Sequence, residues 1–250
     1  MAPIYLKLRK IARDLVASHA TPDFYRDYAA EADDARRFYH TDPVVVQVRE
    51  MALPLLQNNF GHGMGHGEAV AIDAGTLTII ESRKHGHTGD KVWRHLLLAQ
   101  CAGLLHDICR KEKNHAEKGA ETTRRIISSF SFQDTEVDAI CLAIRNHEAF
   151  TRLTPPATDL ERLISDCLYD ADKFRWGPDN FSHTLWDMTE LASPSITTFA
   201  HHYPQGMVVL EKIRETFRSC TGQQYGPQFI NIGLAIGADL YRIIQADFLN

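Results

Sequence analysis

Apolar residues recur at three- and four-residue spacing along nearly the whole chain, with no sustained two-residue alternation between hairpin turns, so the pattern predicts an all-α protein. The periodicity places helices over 3–19, 22–38, 43–58, 65–82, 91–108, 115–130, 134–149, 159–172, 181–192, 205–220 and 228–248. Turn residues set several boundaries. Thr21-Pro22 and Asp42-Pro43 read as helix starts, Thr88-Gly89-Asp90 separates two helices, and Thr154-Pro155-Pro156 breaks the path between two more. Residues 1–58 carry dense charge, as in DFYRDYAAEADDARRFYH, and read as a helical extension packed on a core at 59–178, with helices of 179–250 completing the same domain. The acidic run Glu31, Asp33 and Asp34 reads as a solvated helix face.

Composition narrows the function classes. A chain of 250 residues holds one sizeable core with an extension. With 44% hydrophobic and 24% charged residues it has neither the profile of a disordered chain nor that of a membrane protein. A net charge of -5 offers no general attraction to polyphosphate backbones, so no nucleic-acid partner is expected. The N-terminal stretch MAPIYLKLRKIARDLV lacks the pattern of a secretory signal, and no run approaches a membrane span, so the expected location is the cytoplasm. The five cysteines, at 101, 109, 141, 167 and 220, form no CxxC pair and read as reduced, buried thiols. The 13 histidines are the unusual feature, and imidazole is the side chain most used for metal ligation near neutral pH.

The histidines point to one constellation. In LLHDICR, His106 and Asp107 follow an apolar helical stretch; adjacent helical residues diverge by about 100°, so both reach one ion only in a special geometry at a helix end. Upstream, GHGMGHGEAV offers His62 and His66. Downstream, NHAEKGAE supplies His115, RNHEAF supplies His147, and LYDADKF supplies Asp172 among other carboxylates. Each lies on or beside an amphipathic helix, and bundle folds build metal sites by bringing such side chains to one interior point. Asp166 and Asp170 compete with Asp172 as the carboxylate on residue type alone. Arg110, Lys111 and Lys113 form a basic turn after the pair, and Lys173 and Arg175 follow Asp172. His85 and His87 read as an exposed loop outside the cluster, His201-His202 as a pair that reaches a pocket from a loop or serves at the surface or as a helix cap, and GPQFINIGLAIGADLYRII as small residues for helix packing rather than a phosphate loop.

His66, His106-Asp107 and Asp172, with Val70, the leucines before the pair and Asp-Ala-Asp-Lys at 170–173, resemble the HD superfamily of metal-dependent phosphohydrolases over roughly 60 to 178. His115 and His147 resemble the extra histidines of its two-metal members, and His62 the histidine four before the first ligand in bacterial HD hydrolases. The resemblance implies an HD-type helical bundle with additional N- and C-terminal helices. It implies metal ligation by His66, His106, Asp107, His115, His147 and Asp172, holding one or two divalent ions (Mn, Fe, Ni, Co, Zn or Mg). It also implies catalytic roles for His62, Asp107 and Lys173, contacts to substrate from Arg110, Lys173 and Arg175, and hydrolysis of a small phosphorylated molecule such as a nucleotide. Ala69 stands where many relatives have arginine, and Arg175 where an acid is usual. The alternatives are a di-iron oxygenase with the same ligand set and a non-catalytic metal-binding protein. Residues 1–58 and 179–250 are candidates for a pocket wall or the contact of a homodimer.

Overall fold

A computed structural model describes residues 2–56 and 63–249, and its regular structure is all helical. In chain order the helices are α1 (Pro3–Ser18), α2 (Asp23–Asp27), α3 (Ala29–Thr41), α4 (Pro43–Leu56), α5 (Met64–Lys84), α6 (Asp90–Leu105), α7 (His115–Ile127), α8 (Asp134–Arg145), α9 (Asp159–Phe174), α10 (Leu185–Ala192), α11 (Ile196–Ile213) and α12 (Cys220–Asp247), with a π-helical turn over Asn180–Thr184. No described helix is long and apolar enough to cross a membrane.

Local chemistry explains most helix starts. Asp42 accepts from the amides of Val44 and Val45 at 2.9 and 3.0 Å, and Pro43 takes the first position of α4, where its missing N–H costs nothing. Thr158 and Glu161 close a capping box on α9, and Gln133 and Glu136 do so on α8. Ser195 and Ser219 cap α11 and α12.

Three expectations are corrected. The helix expected over 22–38 divides at Tyr28, because α2 turns Phe24 and Tyr25 into an aromatic cluster with Phe174 and Phe229 while α3 packs along α5. The last two helices begin well before 205 and 228. Pro204 and Pro227 lie inside α11 and α12, where burial of Phe229, Ile230 and Leu210 on their apolar faces outweighs one lost backbone hydrogen bond in each. Cys101, Cys141 and Cys167 are buried thiols, but Cys109 is half-buried and Cys220 exposed at the first residue of α12.

The antiparallel pair α5 and α6 forms the centre. From Val70 to Ser82 the whole of α5 is buried, because α3, α6, α9 and α12 surround it. A Cβ on Gly103 would lie 2.5 Å from the Cα and 2.8 Å from the nitrogen of Ala71, so the two helices meet backbone to backbone. On Gly75 the nearest atom is Leu96 Cδ1, also at 2.5 Å, which is the end of a side chain able to rotate. Gly103→Ala is therefore expected to cost about 3 kcal/mol and Gly75→Ala distinctly less, in urea unfolding. Equal costs would show that the backbone contact is not limiting.

Candidate metal centre

The close crossing at Ala71 and Gly103 decides where the first ligands stand. His66 lies in the first turn of α5, and His106 directly follows α6, so the antiparallel helices bring both rings to the same end of the bundle. α6 ends at Leu105, and the chain turns over 106–111, which provides the special geometry that adjacent His and Asp require. His115 opens α7, with Asn114 before it in the left-handed region at φ 59°. His147 stands just after α8, and Asp172 lies in the last turn of α9. Five helix ends thus meet.

Two backbone carbonyls set the imidazole tautomers. His106 Nδ1 donates to the Gly103 oxygen at 2.8 Å, and His147 Nδ1 donates to the Ile144 oxygen at 2.6 Å. Both oxygens belong to helix ends whose carbonyls have no partner within the helix. A proton held on Nδ1 leaves the Nε2 lone pair facing the cluster, the form in which histidine ligates a metal. His115 follows the same rule with a carboxylate, its Nδ1 lying 3.4 Å from Glu148 Oε1.

The donor atoms form two groups. His66 Nε2 is 3.3 Å from His106 Nε2 and 3.3 Å from Asp172 Oδ1, while His106 Nε2 is 3.3 Å from Asp107 Oδ2 and 3.7 Å from Asp172 Oδ1. His115 Nε2 and His147 Nε2 are 3.3 Å apart and lie 3.6 and 3.4 Å from Asp107 Oδ1. Bonds of about 2.1 Å to a shared ion place neighbouring ligand atoms roughly 3.0–3.4 Å apart, in octahedral or tetrahedral arrangement. The buried His/Asp clusters could therefore hold a metal ion: the spacing fits, and converging lone pairs with two carboxylates require positive charge between them. Asp107 gives one oxygen to each group.

The electrostatics register the carboxylate charge gathered at the cluster. Burial alone would push the Asp172 carboxyl up, but the Lys173 ammonium, His66 and His106 hold it well below the usual carboxylate range. Burial disfavours the charged form of His106, yet Asp107 and Asp172 outweigh it and raise the ring above the ordinary histidine value. At His115, burial together with His147 and Arg110 lowers the pKa and keeps the ring neutral.

The remaining expected site residues fall in different places. Lys173 is buried, 2.5 Å from Asp172 Oδ2 and over the rings of Tyr169 and Trp176. Arg110 donates to His115 Nε2 at 2.9 Å and sits 3.8 Å from Asp107 Oδ1, so its guanidinium occupies the lone pair that the second group would offer an ion. Arg175 faces inward: it pairs with Asp73 and Asp179 and donates to Tyr25 Oη at 2.6 Å, while Tyr25 donates to Asp73 at 2.8 Å. Its head group thus ties α2, α5 and the end of α9 together. His62 lies outside the described residues. Lys111 and Lys113 are exposed. Asp170 accepts from the amides of Arg218 and Ser219, both at 2.8 Å, and so anchors the start of α12, leaving Asp172 as the carboxylate beside His66. His201 and His202 lie on α11 rather than in a loop, with His202 at the edge of the cavity.

A cavity of about 670 Å³ opens from the centre, bounded by His66, Asp107, Arg110, His147, Asp172 and Lys173. Its other walls come from the π-helical turn, α10 and α11, within the 179–250 segment expected as a candidate pocket wall, together with Ala149 and Phe150 after α8 and Trp176 after α9. Glu148 was missed, although it directly follows His147. No protein-family model, curated protein or solved structure matches the chain.

Proposed function

We propose that this centre belongs to a phosphohydrolase of the HD type that cleaves the phosphate ester of a small molecule. The observation that carries the reading is the division of one carboxylate between two histidine groups, Asp107 Oδ2 beside His106 and Oδ1 beside His115 and His147. His66, His106, Asp107 and Asp172 would hold one divalent ion, and Asp107, His115 and His147 a second. Divalent ions held there would acidify a water and neutralise phosphoryl oxygens, as hydrolysis of such an ester requires.

The chain's own residues then have distinct tasks. Gly103 and Ile144 carbonyls keep His106 and His147 in the ligating tautomer. Glu148 orients His115 from its far side. Arg110, once His115 Nε2 is engaged elsewhere, turns its fork to a phosphoryl oxygen in the cavity it lines. Lys173 places an ammonium next to Asp172 at the cavity wall, where charge grows on the leaving oxygen. In the net reaction the water oxygen bonds to phosphorus, the P–O ester bond breaks, and the alcohol departs with one of the water's protons.

The test is phosphate release from a panel of monoesters with Mn, Co, Ni, Mg and Fe(II), alongside metal counting on protein purified without added metal. Release dependent on one of these ions is expected. An iron pair with a visible absorption band and no release from any ester would overturn the reading in favour of oxygen chemistry.

A further inference from the structure

We infer, resting on that hydrolase reading, that the substrate carries its phosphate on a bulky apolar alcohol, aryl or branched alkyl, rather than on a nucleoside. The cavity has one charged edge, at the centre, and walls of a different character. Trp176, Phe181, Leu185, Met188, Phe199 and Met207 all face it. Three of the polar side chains on those walls spend their hydroxyls elsewhere. Tyr203 donates its hydroxyl to the Gly237 carbonyl at 3.0 Å, Thr189 donates to Leu185 at 2.6 Å, and Thr198 pairs with Ser195 at 2.8 Å. What these three present to the cavity is ring face and methyl group, which leaves Asn180, Thr184 and His202 as the polar side chains on those walls.

Volume alone does not choose the substrate. At about 30 Å³ for each water-sized group, 670 Å³ accommodates on the order of twenty non-hydrogen atoms, enough for either kind of ester. Chemistry does choose. The base edges and ribose hydroxyls of a nucleoside lose their water on entry and need more hydrogen-bond partners in return than Asn180, Thr184 and His202 supply on otherwise apolar walls. An aryl or branched alkyl group needs none and gains from leaving water. The cations fit a single phosphate: of Arg110, Lys173 and Arg175 on the described lining, Lys173 is paired with Asp172 and Arg175 with Asp73 and Asp179.

The cavity mouth supplies a separate observation. Phe150, three residues after His147, has φ 63° and is 62% exposed. A bulky residue in the left-handed region costs about 1–2 kcal/mol, so something must hold it there. Asn146 does so by clamping the loop, exchanging hydrogen bonds of 2.9 Å with the Thr154 carbonyl and amide. The exposed ring is thereby presented to the cavity it lines, as is Met188, 53% exposed, from α10. Two apolar side chains held at the rim of a metal centre suit an apolar ligand, and methionine adapts to irregular shapes.

The test uses phosphonates, which resist hydrolysis, titrated into metal-loaded protein with calorimetry and Trp176 fluorescence as readouts. 1-Naphthylmethylphosphonate is expected to bind roughly thirtyfold more tightly than the phosphonate analogue of adenosine monophosphate. Met188→Asp and Phe150→Asp, both at exposed positions that folding tolerates, should each weaken the naphthyl ligand roughly tenfold and leave the affinity for inorganic phosphate unchanged. Equal or tighter binding of the nucleoside phosphonate, or variants that bind the naphthyl ligand normally, would overturn the inference. 1-Naphthylmethanol separates the two readings: if it binds as tightly as its phosphonate, the hydrolase reading falls and the apolar cavity stands.

Discussion

Asp107→Ala is expected to remove bound divalent metal and turnover together, with activity falling by a factor on the order of a thousand or more. The reason is its position between the two histidine groups, where one carboxylate serves both, so no second carboxylate can replace it. His115→Ala, which touches one group only, should lose one equivalent of metal and keep the other. Metal content by plasma emission distinguishes the two patterns. Stability offers an independent readout. An ion at a hundred times its dissociation constant adds about 2.7 kcal/mol, and in a chain of this size 1 kcal/mol shifts Tm by roughly 2–4 °C. Chelation should therefore lower the wild-type Tm by roughly 5–10 °C and leave Asp107→Ala unmoved. A variant with full metal content and normal turnover would remove the centre from the mechanism.

The second large effect is on folding. Arg175→Met strands the Asp73 carboxylate, 4% exposed in the middle of the bundle, and should cost about 3–5 kcal/mol in urea unfolding. Replacing both partners, Arg175→Met with Asp73→Leu, should recover most of that loss, because the buried charge disappears with its partner. Tyr25→Phe should cost about 1 kcal/mol through its lost hydrogen bonds. These outcomes separate the internal role of Arg175 from contact with substrate. A raised KM with unchanged stability in Arg175→Met would assign the guanidinium to the substrate instead.

Legibility in the sequence followed the range of the interactions. The helical class and most helix starts were readable, because three- and four-residue periodicity and boundary signals such as Asp42-Pro43 and Thr88-Gly89-Asp90 act over one or two turns. The division at Tyr28 and the true starts of α11 and α12 were not. There, burial of Phe24 against Phe174, and of Phe229 and Leu210 in the core, overrides what local propensity and the prolines suggest. The residues of the candidate centre were nameable from their types and order, but on residue type alone Asp166, Asp170 and Asp172 were equivalent and only the resemblance favoured Asp172, which the fold sets beside His66 while α12 takes Asp170 for its own anchor.

What the sequence by itself determined is an all-α chain with an unusual supply of imidazoles and carboxylates at helix ends, since residue type and helical period are local properties. The tertiary structure alone decided that Asp107 faces two groups at once, that Arg175 is spent on Asp73, and which side chains of the π-helical turn, α10 and α11 give the cavity its mostly apolar walls. Each of those depends on helices far apart in sequence meeting at a few ångströms. That meeting is fixed by how side chains pack across the bundle, as where Gly103 admits the backbone of Ala71, and not by the pattern along any one helix.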